Sequence, residues 1–200
     1  MRVSDSRQLS LALGLPPQAS RDMVFFAALP PPEVADAIAA CGRQLLAGQR
    51  CRIDWRPARV LHVSLAGVGL WDGLSSDGLR QIRRVGAGLD VPAIPVRLVQ
   101  ALSFGKARRR ALVLVCEPSC IPPLAALART LRRGLAAGGF WRAARDSFTP
   151  HLTIGYVDGG FDPIPAEQVP GWVVRDVVLV RSRHGEARYD ELGRWALAGP

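Results

Sequence analysis

The chain has 200 residues, of which 48% are hydrophobic and 22% charged, a balance that supports a buried core and excludes a disordered polymer. Its 26 basic residues against 17 acidic ones give a net charge of +9. That surplus favours anionic partners, RNA or nucleotides before a membrane surface, although an Arg-rich soluble protein would carry it too. No apolar run is long enough to span a membrane, and the four cysteines (Cys41, Cys51, Cys116 and Cys120) form no CxxC or CxxH pair. Neither a zinc site nor a disulfide scaffold is therefore supported, and a cytoplasmic protein with reduced thiols is expected.

Residues 1–21 read as a flexible leader, because the short apolar stretch at 9–15 is broken by Pro16-Pro17 and followed by no small-x-small cleavage site. Residues 22–200 are expected to form one domain. The apolar run at 23–29, closed by three prolines, predicts a buried strand, and Val34, Ala37, Ile38, Cys41 and Leu45 then fall at helical spacing up to Gly48. A basic connector holding Arg50, Arg52, Arg56 and Arg59 leads to a strand at 60–66, ended by Gly67, Gly69 and Asp72-Gly73. Leu79, Ile82, Val85 and Leu89 make a second amphipathic helix. Strands at 96–104 and 111–116, joined by the turn 105–110, predict a hairpin. Leu124, Leu127, Leu131 and Leu135 stripe a third helix capped by Gly138-Gly139. A loop with Phe140, Trp141, Arg142 and Arg145 precedes a further strand at His151, and a Gly/Pro-rich loop covers 158–171. Alternation at 172–182, the turn at His184-Gly185 and residues 188–197 complete the chain with two strands. Short crossovers mixed with hairpins predict an α+β fold with antiparallel or mixed sheets.

Two of the three histidines sit in one repeated pattern: Leu61-His62-Val63-Ser64-Leu65 and Pro150-His151-Leu152-Thr153-Ile154. On a strand, positions i and i+2 share a face, so each histidine would stand beside its hydroxyl while the flanking apolar residues are buried. Two such faces across one cleft suit phosphoryl chemistry. One imidazole accepts a proton from the attacking oxygen, the other donates to the leaving oxygen, and Ser64 and Thr153 donate to the phosphate. No Asp/Glu cluster adjoins either motif, so the pattern calls for no metal and no cofactor. His184, in a basic turn, reads as surface.

With these residues in view, the chain resembles the two-histidine (2H) phosphoesterases, in the branch of RNA 2′,3′-cyclic phosphodiesterases also called the 2′-5′ RNA ligase family. The resemblance rests on 24–30, on His62-Val63-Ser64-Leu65, on Phe148-Thr149-Pro150-His151-Leu152-Thr153-Ile154, and on 179–197 with Ser182, Gly185, Tyr189 and Trp195. It implies a bilobal fold with approximate two-fold symmetry, helices on the outer faces and a central basic groove. It also implies metal-independent opening of 2′,3′-cyclic phosphates to 2′-phosphates, with reverse 2′-5′ ligation in some members. By that resemblance His62 is the proton donor, His151 the proton acceptor, and Ser64 and Thr153 hold the phosphate. The implied partners are RNA ends or small cyclic nucleotides, bound by a monomer. Relatives often carry arginine where this chain has Tyr156, which leaves the substrate open; Arg108, Arg109, Arg110, Arg142 and Arg145 either compensate or form a solvated basic face. An idle RNA- or nucleotide-binding module, or a structural role for both histidines, would leave the same motifs.

Overall fold

The computed structural model describes residues 22–140 and 148–199; the expected leader at 1–21 and the loop arginines Arg142 and Arg145 lie outside them. Strand β1 (Met23–Ala28) buries Val24 and Phe26 on one face and leaves Met23 and Phe25 on the other. Helix α1 (Pro32–Leu45) starts at proline, whose missing amide is unneeded in a first turn, and buries Ala35, Ile38, Ala39 and Gly42.

The stretch expected to be only a basic connector contains a short strand, β2 (Ile53–Trp55), and ends in a 3-10 turn over Ala58–Val60. The first motif strand, β3 (Val63–Leu70), consequently starts just after His62 and continues through Gly67 and Gly69. Its pairing with β1 as far as Met23 and Leu70 overrides the weak strand preference of glycine. Helix α2 (Ser76–Ala87) is capped by Ser75, whose hydroxyl accepts from the Gly78 amide at 3.0 Å.

The strand expected at 96–104 is divided into β4 (Ile94–Val96) and β5 (Leu98–Phe104). After β6 (Arg109–Cys116), helix α3 (Ile121–Ala137) buries its stripe of Leu124, Leu127, Leu131 and Leu135. Then follow β7 (His151–Asp158), a two-residue β8 (Ile164–Pro165), β9 (Trp172–Val174), β10 (Asp176–Arg183) and β11 (Arg188–Ala196). The strand expected at 172–182 is thus split like its counterpart. In both cases the first piece enters a separate two-stranded sheet, β4 with β9, while the second joins the large one.

The large sheet runs β11-β10-β1-β3-β7-β6-β5-β8, with β2 also paired to β7. Its two halves meet where β3 and β7 pair antiparallel at Val63 and Leu152. About that joint β3 corresponds to β7, β1 to β6 and β10 to β5, the approximate two-fold expected of the fold. Apolar residues from both halves and the helices form one core.

The joint tolerates little added bulk. Gly155 lies between β2 and β6, opposite Trp55 and Leu112, and a Cβ there would stand 2.8 Å from the Asp54 carbonyl oxygen. Backbone cannot swing aside, so Gly155→Ala is expected to cost about 1–3 kcal/mol of unfolding free energy. A denaturant titration checks this, and an unchanged midpoint would contradict the packing.

Candidate active site

Val63 and Leu152 are both fully buried and face one another across the joint. Residues directly opposite in an antiparallel pair point the same way, and their neighbours point the other way. His62, Ser64, His151 and Thr153 therefore share the opposite surface, where each is exposed or half-buried. A single residue pair thus brings together all four residues singled out by the repeated motif.

The motif strands also share an irregularity. Against β1, Ser64 pairs with Ala27 but Ala66 with Phe26, so Leu65 is an extra residue. Against β6, Thr153 pairs with Val113 but Gly155 with Leu112, so Ile154 is extra. Each bulge falls at the third residue after its histidine, and it shifts the phase of everything beyond. Strict alternation from His151 would turn Tyr156 into the core; the bulge returns it to the histidine face, beside Ala111.

Both imidazoles are anchored alike. The Nδ1 of His62 lies 3.0 Å from the Val60 carbonyl, and that of His151 lies 2.7 Å from the Thr149 carbonyl. A carbonyl only accepts, so Nδ1 carries the proton in each ring and Nε2 is the reactive nitrogen. Each ring also packs against a phenylalanine with centroids 5.0 Å apart, Phe25 for His62 and Phe104 for His151. The Nε2 of His62 is 2.9 Å from the Ser64 hydroxyl, which donates to it while the ring is neutral.

The symmetry ends behind His62. The Tyr189 hydroxyl lies 2.9 Å from His62 Nδ1, donates to the Val60 carbonyl at 3.1 Å, and accepts from Arg56 Nη2 at 3.2 Å. Burial lowers the His62 pKa to about 4; the Val60 carbonyl opposes this, and the charges of Arg56 and His151 add to it. Burial likewise pushes Tyr189 up to about 12, so it stays a neutral hydroxyl. Sequence reasoning overlooked this network. Tyr189 figured only as part of the closing segment and Arg56 only as one arginine of a connector.

Tyr156 lies under Arg109, whose guanidinium carbon is 5.2 Å from the ring centroid. Arg109 is already paired with Asp54 at 2.7 Å, and Arg52 approaches the same carboxylate at 3.8 Å. With Asp158 these residues line a small polar pocket on β2, β6 and β7. Arg110 bonds the Ala107 carbonyl of its own turn, and Arg108 is exposed. Of the two expectations for these arginines, compensation for a missing arginine at 156 would thus draw on an Arg109 that is already paired with a carboxylate. His184 is exposed, as expected, and its backbone amide donates to Asp22. Among the described residues no group of three or more His, Cys, Asp or Glu is arranged to hold a metal ion, and no helix is long and apolar enough to cross a membrane.

The same architecture occurs in known proteins. A solved phosphoesterase superposes with a TM-score of 0.75 at 23% identity, over 88% of this chain and 98% of its own. E. coli LigT, solved in complex with 3′-AMP, gives 0.74 at 23% identity over the same shares of each chain, 88% and 98%. The protein TT0787 of Thermus thermophilus gives 0.68 at 21%, again over 88% and 98%. At such identities the likeness concerns the fold. A search of curated proteins found no significant sequence match. The sequence model of the 2′-5′ RNA ligase superfamily, however, matches residues 30–185, a span that contains both histidine motifs and the joint between them. The chain belongs to the 2′-5′ RNA ligase superfamily.

Proposed function

We propose that the protein hydrolyses 2′,3′-cyclic phosphodiesters, at RNA ends or in small nucleotides, to 2′-phosphates. The observation that carries this reading is the shared face of His62, Ser64, His151 and Thr153, with both Nδ1 atoms tied to carbonyls so that Nε2 is the reactive nitrogen of each ring. The 3′-AMP bound by E. coli LigT supports a nucleotide end as the substrate class.

In the forward step, water attacks phosphorus and gives its proton to His151 Nε2. The bond from phosphorus to O3′ breaks, and O3′ takes a proton from His62 Nε2, leaving a 2′-phosphate and a free 3′-hydroxyl. Ser64 and Thr153 donate to the non-bridging oxygens as charge gathers there. A 5′-hydroxyl in place of water would give a 2′-5′ bond by the same transfers.

A donor must first hold a proton, and His62 in the free site is neutral at pH 7 because its pKa lies near 4. Burial is the main cause and Arg56 a lesser one; a phosphodiester anion beside the ring works against both by favouring the charged imidazole, so substrate and proton arrive together. This coupling has a sign that can be measured. A folded pKa of about 4 lies below the ordinary 6.5, so between those values the unfolded chain holds a proton that the folded one lacks. The stability that His62 contributes is complete above about pH 6.5 and is lost as the pH falls toward 4. Imidazole NMR on the free protein is expected to show the Nδ1–H tautomer with a midpoint near 4, rising when inorganic phosphate is added. A midpoint that ignores phosphate would remove His62 from the donor role.

Turnover supplies the direct assay. Because both protons travel through imidazoles, hydrolysis of 2′,3′-cyclic nucleotides is expected to persist in EDTA. His62→Ala and His151→Ala should each lose about 100- to 10,000-fold in kcat while keeping their folded circular dichroism. Full activity in either variant would refute the mechanism, and salt-sensitive RNA binding without product would instead identify an idle binding module.

A further inference from the structure

Arg56 stands at the seam between the two halves of the sheet. Its backbone amide donates to the Ile154 carbonyl at 2.9 Å, continuing the β2–β7 ladder alongside the second motif. Its side chain runs toward the first motif, where Nη2 meets the Tyr189 hydroxyl that touches His62. The residue therefore spans both halves of the proposed site.

Its charge is unusually situated. Nε is shut off from solvent and has no hydrogen-bond partner. Among the described residues no ion pair joins Arg56 to a carboxylate, whereas Arg109, Arg181, Arg183 and Arg194 each have at least one. A guanidinium offers five donors, and here one reaches a neutral hydroxyl while the positive end sits close enough to His62 to disfavour a second charge. Unpartnered buried donors and unopposed cations are both unfavourable in a folded protein. An anion placed between the histidines would oppose the charge and give the Nη edge a charged acceptor.

We propose that Arg56 is the phosphate-binding cation of this groove, donating from its Nη edge to a non-bridging oxygen of the substrate. The assignment rests on the phosphoesterase reading above and names the residue that supplies charge where Tyr156 cannot. Tyr156 and Arg109 are left to line the neighbouring pocket, with Asp54 already neutralising Arg109. Tyr189 keeps the guanidinium close to His62, so a phosphate that opposes the cation also favours the charged imidazole.

The test uses the full-length protein and inorganic phosphate, followed by calorimetry, alongside steady-state turnover of a 2′,3′-cyclic nucleotide. Arg56→Gln retains a donor for Tyr189 but removes the charge; it is expected to weaken phosphate binding about 10- to 100-fold and to raise KM. Arg56→Lys keeps the charge and should recover part of the affinity, which also serves if the Gln variant folds poorly. Arg59→Met removes an equal charge from an exposed site three residues away and should bind phosphate as wild type does. Wild-type phosphate affinity in Arg56→Gln, or an equal loss in Arg59→Met, would overturn the assignment. The two claims fail separately. Phosphate binding that depends on Arg56 without any turnover would sink the hydrolase reading alone, whereas turnover with phosphate affinity indifferent to Arg56 would sink this inference alone.

Discussion

Everything at the site depends on one antiparallel pair, Val63 against Leu152. Because both side chains are buried, the alternation of the strands commits His62, Ser64, His151 and Thr153 to a common outer face. A slip of one residue in either strand would bury a motif and expose the apolar residue beside it. The register is held from outside as well as at the joint: β1 on β3, and β6 and β2 on β7, carry extended ladders. The twin bulges at Leu65 and Ile154 are part of the same arrangement, since they reset the phase of both strands at the same distance beyond each histidine.

Symmetry of the backbone does not extend to the electrostatics. Both rings are fixed through Nδ1 by a carbonyl two residues earlier and backed by a phenylalanine. Only His62 has the Tyr189 hydroxyl at its Nδ1, and that hydroxyl accepts from Arg56. One near-repeated scaffold thus places its two imidazoles in different surroundings, and around His62 burial and the Arg56 charge disfavour the protonated ring. Since His62 is held neutral in the free site, the proposed donor role depends on what binds and not on the resting protein.

Much of this was legible in the sequence, and the limits have physical causes. The motifs could be read because period-two alternation is a local property, as is the leucine stripe of α3. The division of the expected strands at Arg97 and Arg175 could not, because it follows from the choice of a second partner sheet far along the chain. Strand β2 was hidden because Ile53-Asp54-Trp55 is short and flanked by arginines; its pairing with β7 creates it. Tyr156 shows the same limit in one residue. Its number places it off the motif face, its bulge places it on, and only the register against β6 distinguishes the two. Arg56 gave no signal at all, since its significance comes from Tyr189 and Ile154, both distant in sequence.

The central claim is that both halves of the sheet act on one phosphate. Nitrogen NMR of the two Nε2 atoms during titration with a non-hydrolysable 2′,3′-cyclic phosphate analogue tests it most directly. His62 and His151 are expected to shift together with one dissociation constant and to saturate at one ligand per chain. Movement of only one ring, or two rings reporting different affinities, would contradict it.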